Sequence, residues 1–456
     1  MKQILKENES ICNIIGKAKQ SADGYRFSHY TVAERVEDGV LLFNTLTREL
    51  LLLTEDEYEG ALGNQLLRQK WFVVPQNTEE KKLVNMVRWL QKTMSRDKPG
   101  ITNYIIYTTT DCNARCFYCF ELGRKRIPMS NETALKAADF IIENHNGNAV
   151  TINWFGGEPF YNAGAIDLIC QKLKDAGVSY KTRTITNGYL LNEENVQKCL
   201  NLWNLKRIQI SMDGTEQVYN KAKHYIYKEG NPYQIVMDNI RRLLDNDIKV
   251  VVRVNMDFHN IEDLNIFTEE MARRFGDSRK FYMYPHLIID EKKAWNEYRT
   301  LEQWEELYEA KYLLEQKMLK LGIFSGRSPR LSKNLPHVAC MAENSNSIVI
   351  TPDGSLGVCE HYSETELIGH LDSPERDQAV INSFREHWPD IPECDGCFNY
   401  PMCIRLKKCP YIIECIPPER KELRRNLIAA MRNEYRLWLA NISEDEDTLE
   451  PEDATV

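Results

Sequence analysis

No run of apolar residues in this 456-residue chain approaches the roughly 18 needed to cross a bilayer. The opening MKQILKENES also lacks the apolar core of a signal peptide. From both absences the protein is expected to be cytoplasmic. A large excess of one charge is missing too. The net charge is −9, but the final stretch SEDEDTLEPEDATV holds seven acids and no base, so the remainder of the chain carries only −2. A body so close to neutral lacks the basic footprint of a nucleic-acid binder. The tail, residues 443–456, is expected to be disordered.

A third absence is more specific. Residues 111–122 read DCNARCFYCFEL and put Cys112, Cys116 and Cys119 in one short loop with no fourth thiol nearby. A disulfide would use two and a closed structural zinc site four, so three is the count of a site that keeps a position open. Cysteine itself is plentiful: thirteen residues, in a compartment that keeps thiols reduced. Apart from these three, Cys12 stands alone, Cys170 and Cys199 fall on expected helices as buried apolar residues, and seven crowd between Cys340 and Cys415. Two separate clusters imply at least two metal-binding regions.

Periodicity divides the chain. Residues 25–96 show short β-type runs with a turn at Asp38-Gly39, then the helix KKLVNMVRWLQKTMSR, which suggests a small winged-helix-like α+β module. From Asn103 to about Gly322 strands and helices alternate. The strands are NYIIYTTT, AVTINWF, YKTRTIT, RIQISM, KVVVRVN and KFYMYPHLII. Six βα repeats predict a parallel sheet curved into a partial barrel, with active residues at the carboxyl ends of its strands. Beyond Leu331 the pattern is loop-rich and cysteine-rich up to a last helix near PPERKELRRNLIAAMRNEYRLWLANI, and metal would have to hold such a region together.

CxxxCxxC can grip three corners of an iron–sulfur cube and leave the fourth iron to an outside ligand. A zinc loop completed by a distant His or Cys is the plainer alternative. The second expected strand ends in NWFGGEPF, where Gly156 and Gly157 let backbone groups approach a ligand, Glu158 can receive an ammonium group, and Pro159 closes the turn. With CNARCFYC after strand one and GGEP after strand two, the chain resembles a radical SAM enzyme. The resemblance implies a [4Fe–4S] cluster on Cys112, Cys116 and Cys119, whose open iron is chelated by S-adenosylmethionine, and one-electron cleavage to a 5′-deoxyadenosyl radical. It also implies Tyr118 near adenine, contacts to ribose and methionine from Asn187 in TNG and from Ser211 and Asp213 in SMDG, and cofactor contacts from Arg253 and Asn255. An electron donor such as flavodoxin or ferredoxin is implied with them.

CxxC followed by CxxxxxC in the second cluster is too dense for chance, and seven thiols exceed one zinc site and fall short of two. The array resembles the SPASM domain of peptide-modifying radical SAM enzymes, which holds two auxiliary [4Fe–4S] clusters. The resemblance implies Cys340, Cys359 and Cys409 for the first and Cys394, Cys397, Cys403 and Cys415 for the second. Five residues separate Cys403 from Cys409 where the family usually has three, which leaves Cys409 and Cys415 open to exchange. The first set would have an open iron for a substrate sulfur, a water, His337 or His361. Asp213, Glu360 and His361 are general-base candidates by nearness to motifs.

The segment EDGVLLFNTLTRELLLLTEDEYEGAL resembles the element that binds leader peptides of ribosomally made, modified peptides, where an extended peptide adds to a sheet edge. A barrel-capping domain is the plainer reading. The expected architecture is an α/β fold: a leader-recognition-like module over 1–97, a radical SAM partial (β/α)6 barrel over 98–325, a SPASM-type auxiliary domain over 326–442, and the tail. The expected function is a peptide maturase that forms a thioether or carbon–carbon crosslink in a precursor peptide. The alternatives are an anaerobic sulfatase-maturating enzyme making formylglycine, which should better tolerate deletion of residues 1–96, and a non-catalytic iron–sulfur peptide-binding protein.

Overall fold

The computed structural model describes residues 1–16, 24–94, 99–227, 229–289, 299–324, 330–336, 340–373, 375–409 and 415–447. Six strands run parallel in one sheet: β7 (Asn103–Thr109), β8 (Val150–Gly156), β9 (Tyr180–Thr186), β10 (Leu205–Met212), β11 (Lys249–Met256) and β12 (Phe281–Leu287). They coincide with the six expected from alternation, and they stand in sequential order across the sheet. Alternation has a physical result in this sheet. On β10 to β12, Ile208, Ile210, Met212, Val250, Val252, Val254 and Met283 are buried in the barrel's main core. The residues between them, Gln209, Ser211, Arg253, Asn255, Tyr284 and His286, line the central cavity.

The helices start where short polar side chains satisfy their free amides. Ser130 accepts from Thr133 N before α5 (Asn131–Asn144), and Asn192 from Asn195 N before α7 (Glu193–Asn201). Helix α8 (Glu216–Lys223) ends at His224 in the left-handed region, with φ of 46°. Cys170, on α6 (Ala163–Asp175), and Cys199, on α7, are fully buried in the barrel core, as expected for apolar roles.

The amino-terminal module is a four-stranded antiparallel sheet of β1 (Lys2–Leu5), β5 (Leu50–Leu53), β4 (Gly39–Asn44) and β3 (Thr31–Val36), in that order, beside a β2–β6 pair (Tyr25–Phe27 and Val73–Pro75). Its first strand lies outside the stretch where β-type runs were expected. Its last helix, α4, runs over Glu80–Met94.

The three zones do not stand apart. The strand β13 (Ser347–Ile350) pairs parallel with β7, and β14 (Ser355–Gly357) and β15 (Gly369–His370) continue outward, so the carboxyl-terminal region extends the barrel sheet to nine strands. The long helix Pro417–Asp447 lays Ala430, Met431 and Tyr435 on Val32, Leu41, Phe43, Leu50 and Leu52 of the amino-terminal sheet. That helix continues to Asp447, past the 443 boundary at which disorder was expected; residues 448–456 and His337 lie outside the described residues. Among the described residues no helix is long and apolar enough to cross a membrane.

Candidate active site at the mouth of the barrel

A cavity of about 530 Å3 opens at the carboxyl ends of the parallel strands; β8 to β12 each contribute to its wall, and β7 does so through the loop that follows it. Cys112, Cys116 and Cys119, on the loop after β7, line it together. The loop is held from below. Asp111 Oδ1 accepts from Cys112 N at 2.8 Å, Arg115 N donates to Lys223 O at 2.8 Å, and Asn187 Nδ2 donates to Asn113 Oδ1 at 2.7 Å. Burial, and after it the Glu158 carboxylate, pushes the Cys112 thiol up to about 12, while burial pushes Cys119 up to about 11. In this setting the bare thiols keep their protons, and a metal must displace them to bind.

The GGEP stretch joins the end of β8 to the cysteine loop. A Cβ on Gly156 would stand 2.0 Å from the Thr109 carbonyl oxygen, and one on Gly157 would stand 2.3 Å from that of Asp111. The two glycines let the end of β8 close on the end of β7, which brings their backbone to the cavity wall. Glu158, expected to receive an ammonium group, is instead fully buried and absent from the cavity wall. Its carboxylate accepts from Thr186 Oγ1 at 2.7 Å, Asn187 N at 2.8 Å and Phe160 N at 3.3 Å, bracing the end of β9. Burial pushes it up to about 7. Pro159 is buried and opens a short 3-10 turn.

Tyr118, Ser211, Asp213 and Asn255 come together around a residue that sequence reasoning missed. Lys223, only 2% exposed, lies 3.2 Å from the equally buried Asp213 and donates to Ser211 Oγ at 2.9 Å and Tyr118 Oη at 3.1 Å. Tyr118 Oη donates to Asp213 Oδ1 at 2.5 Å, and Asn255 Nδ2 donates to Tyr118 Oη at 3.0 Å. The Lys223 carbonyl accepts from the Cys116 thiol at 3.9 Å, so the end of α8 sits against the cysteine loop. A lysine at the end of a short amphipathic helix reads as a solvated residue facing the helix dipole, and no local signal marks it as buried.

The cysteine-rich region closes the mouth. Glu360 and His361 line the same cavity as the three thiols. The His361 ring lies 4.7 Å from that of Phe120, Tyr107 Oη donates to Glu360 O at 2.6 Å, and Arg124 Nη2 donates to His361 O at 3.1 Å. Asp213, the third base candidate, lies beneath the wall in the Lys223 network. Cys340, Cys359 and Cys409 are neighbours: burial, then Glu360, then the other two thiols push Cys359 up to about 12. Cys397, Cys403 and Cys415 form a separate group in which burial pushes Cys403 up to about 11, the flanking thiols adding to it. Cys394 packs beside Cys397 in a shared apolar cluster. Among the described residues no three His, Cys, Asp or Glu side chains converge closely enough to hold a single metal ion.

The profile of the radical SAM superfamily matches residues 106–270, from β7 into the helix that follows β11. The chain carries a radical SAM domain and is an enzyme of that superfamily. S-adenosylmethionine and a [4Fe–4S] cluster come with that membership. A GTP 3′,8-cyclase of Clostridium perfringens is 28% identical over 291 residues, which cover 59% of this radical SAM enzyme and 83% of the cyclase. Two solved structures share the fold. Native anSMEcpe with bound AdoMet and Cp18Cys peptide has a TM-score of 0.58 at 12% identity, covering 75% of this chain and 99% of that one. SuiB of Streptococcus suis bound to precursor peptide SuiA has a TM-score of 0.50 at 13% identity, covering 87% and 98%. The residues at the cavity fit the cofactor pair: three thiols on one wall, strand-end backbone beside them, and a buried cation within the same network.

Proposed function

We propose that this radical SAM enzyme is a cytoplasmic peptide maturase, which binds a ribosomally made precursor and installs a thioether or carbon–carbon crosslink in it. The observation that carries this reading is one cavity lined both by Cys112, Cys116 and Cys119 and by Glu360 and His361 of the cysteine-rich region. Such a wall lets a substrate segment touch the radical source and the neighbourhood of Cys359 at once. Bound at the three thiols, the cluster and S-adenosylmethionine, reduced by a flavodoxin or ferredoxin, supply hydrogen-atom abstraction. There Gly156 and Gly157 would offer backbone to the ammonium of the cofactor's amino acid end, Tyr118, Asn187 and Asn255 would border its nucleoside, and Lys223, paired with Asp213, would hold Tyr118 in place. Arg124 ties the cysteine loop to the His361 segment and so holds the two walls in register.

In this reading the thiol groups Cys340–Cys359–Cys409 and Cys394–Cys397–Cys403–Cys415 hold auxiliary [4Fe–4S] clusters. The leader of the precursor adds to β3, an edge strand of the amino-terminal sheet, through its outward backbone groups. Deleting residues 1–96 does not separate this from sulfatase maturation. Thr45 Oγ1 donates to Phe398 O at 2.6 Å, Arg88 Nη2 donates to Cys403 O at 2.6 Å, and Tyr30, Val84 and Val87 share a core with Tyr400, Cys394 and Cys397. Removing the module would strip the second cysteine group of its support.

The test is anaerobic. Reconstituted enzyme with dithionite and S-adenosylmethionine is expected to release 5′-deoxyadenosine and, with a precursor peptide encoded beside its gene, to remove two hydrogens and leave a crosslink visible in fragmentation spectra. Conversion of Cys or Ser in a sulfatase-type peptide to formylglycine, with the precursor untouched, would replace the reading by the alternative.

A further inference from the structure

The cavity wall carries five cations, and four of them already have a carboxylate partner, two of these sharing Asp111. Arg115 and Arg126 lie 3.6 and 3.4 Å from Asp111, Arg124 lies 3.4 Å from Glu121, and Lys223 lies 3.2 Å from Asp213. Arg253 is the fifth. Among the described residues it has no ion pair, and its Nε is buried with no hydrogen-bond partner. A guanidinium carries five donors in a rigid fork, and holding one out of water without a partner is costly unless something arrives to meet it.

Its position separates it from the cysteine loop. Arg253 sits on the inward face of β11, four strands across the sheet from β7, in register with Ser211 on one side and Tyr284 on the other. Lys223 is the cation beside the cysteine loop, donating to Tyr118 Oη at 3.1 Å, whereas Arg253 stands beside Tyr284. Around Arg253 the wall is polar without being acidic: Gln209, Tyr284 and His286, with Tyr284 Oη donating to Gln209 Oε1 at 3.0 Å. Lys311, on the helix Leu301–Lys320, is already paired with Glu315 and Glu422. Among the described residues no carboxylate meets Arg253.

We propose that Arg253 is a specificity-determining residue that pairs with a carboxylate of the peptide substrate, so that the segment entering the cavity carries an Asp or Glu side chain or a free carboxyl terminus. This rests on the reading of the enzyme as a peptide maturase and names the chemistry of the segment it processes. Arg253 thereby moves from the cofactor's contacts to the substrate's. A fork-to-carboxylate pair in a partly closed site orients the bound segment as well as holding it.

The experiment uses full-length, anaerobically reconstituted enzyme loaded with S-adenosylmethionine. Three peptides are titrated by calorimetry: N-acetyl-Gly-Glu-Gly-amide, its Gln counterpart, and N-acetyl-Gly-Gln-Gly with a free carboxyl end. Wild type is expected to prefer a carboxylate-bearing peptide over the neutral one by on the order of 10- to 100-fold. Which of the two it prefers tells side chain from terminus. Arg253→Gln is expected to erase the preference while S-adenosylmethionine affinity stays within about twofold, and Arg253→Lys to keep part of it. Equal affinity of wild type for all three peptides, or no binding of any, overturns the proposal without any variant. So does an Arg253→Gln enzyme that keeps the preference and loses cofactor affinity. The maturase reading fails separately, by a wild type that forms no 5′-deoxyadenosine or leaves the precursor unmodified.

Discussion

Replacing Lys223 by Met tests the central claim about the site, that a buried ion pair organises the wall beside the cysteine loop. Both partners are 2% exposed, so the substitution leaves the Asp213 carboxylate in a dry environment without its cation. Breaking a buried pair on one side costs about 3–5 kcal/mol. Asp213 keeps two donors, Tyr118 Oη at 2.5 Å and Asn255 Nδ2 at 3.2 Å, which puts the expected loss near the lower end, about 3 kcal/mol. Adding Asp213→Asn removes the stranded charge, and the double variant should recover most of that loss, to within about 1 kcal/mol of wild type. Urea unfolding of the cofactor-free protein, followed by tryptophan fluorescence, reads the effect, because Trp154 and Trp203 are fully buried in the barrel core. Should Lys223→Met lose less than about 1 kcal/mol, or the double variant be less stable than the single one, the pair is not the organising element.

Other substitutions probe the walls. Gly157→Ala places a methyl 2.3 Å from the Asp111 carbonyl oxygen, so it should part β8 from the cysteine loop and lower 5′-deoxyadenosine release by more than about tenfold, with iron content as the control. Arg88→Met removes the donor to the Tyr400 and Cys403 carbonyls and should lower iron per chain by selective loss at Cys394–Cys415, read by Mössbauer spectroscopy; unchanged iron would refute the link. Glu158 sets a pH dependence. Burial raises its folded value from 4.5 to about 7, so between those values the native state holds the extra proton, and stability falls as pH rises through the window, by as much as about 3 kcal/mol. Glu158→Gln should flatten that slope in unfolding measured from pH 5 to 8, and an unchanged slope would assign it to another group.

Much of the barrel was legible because its information is local. Period-two runs such as RIQISM and KVVVRVN mark strands whichever neighbours they find, and their order across the sheet follows from short right-handed crossovers. The loop of three thiols was equally plain, since the spacing sits within eight residues of Cys112–Cys119. What escaped was everything set by distant partners. The strand Lys2–Leu5 is identified by the β5 backbone it pairs with, not by its own composition. The join between β13 and β7 links residues more than two hundred positions apart, so a domain boundary drawn from composition cut through one continuous sheet.

The sequence by itself determined the chemistry that is available: which thiols stand together, where glycine permits close approach, and which strands carry polar residues to one end of a barrel. Only the tertiary structure decided which charges are balanced. Glu158 turns inward because the ends of β8 and β9 close over it, Lys223 is drawn into the wall by Asp213, and Arg253 is left uncompensated among the described residues. The reason is physical. A motif is a property of neighbours along the chain, whereas the electrostatic state of a site is the sum over groups that folding brings within a few ångströms from separate strands.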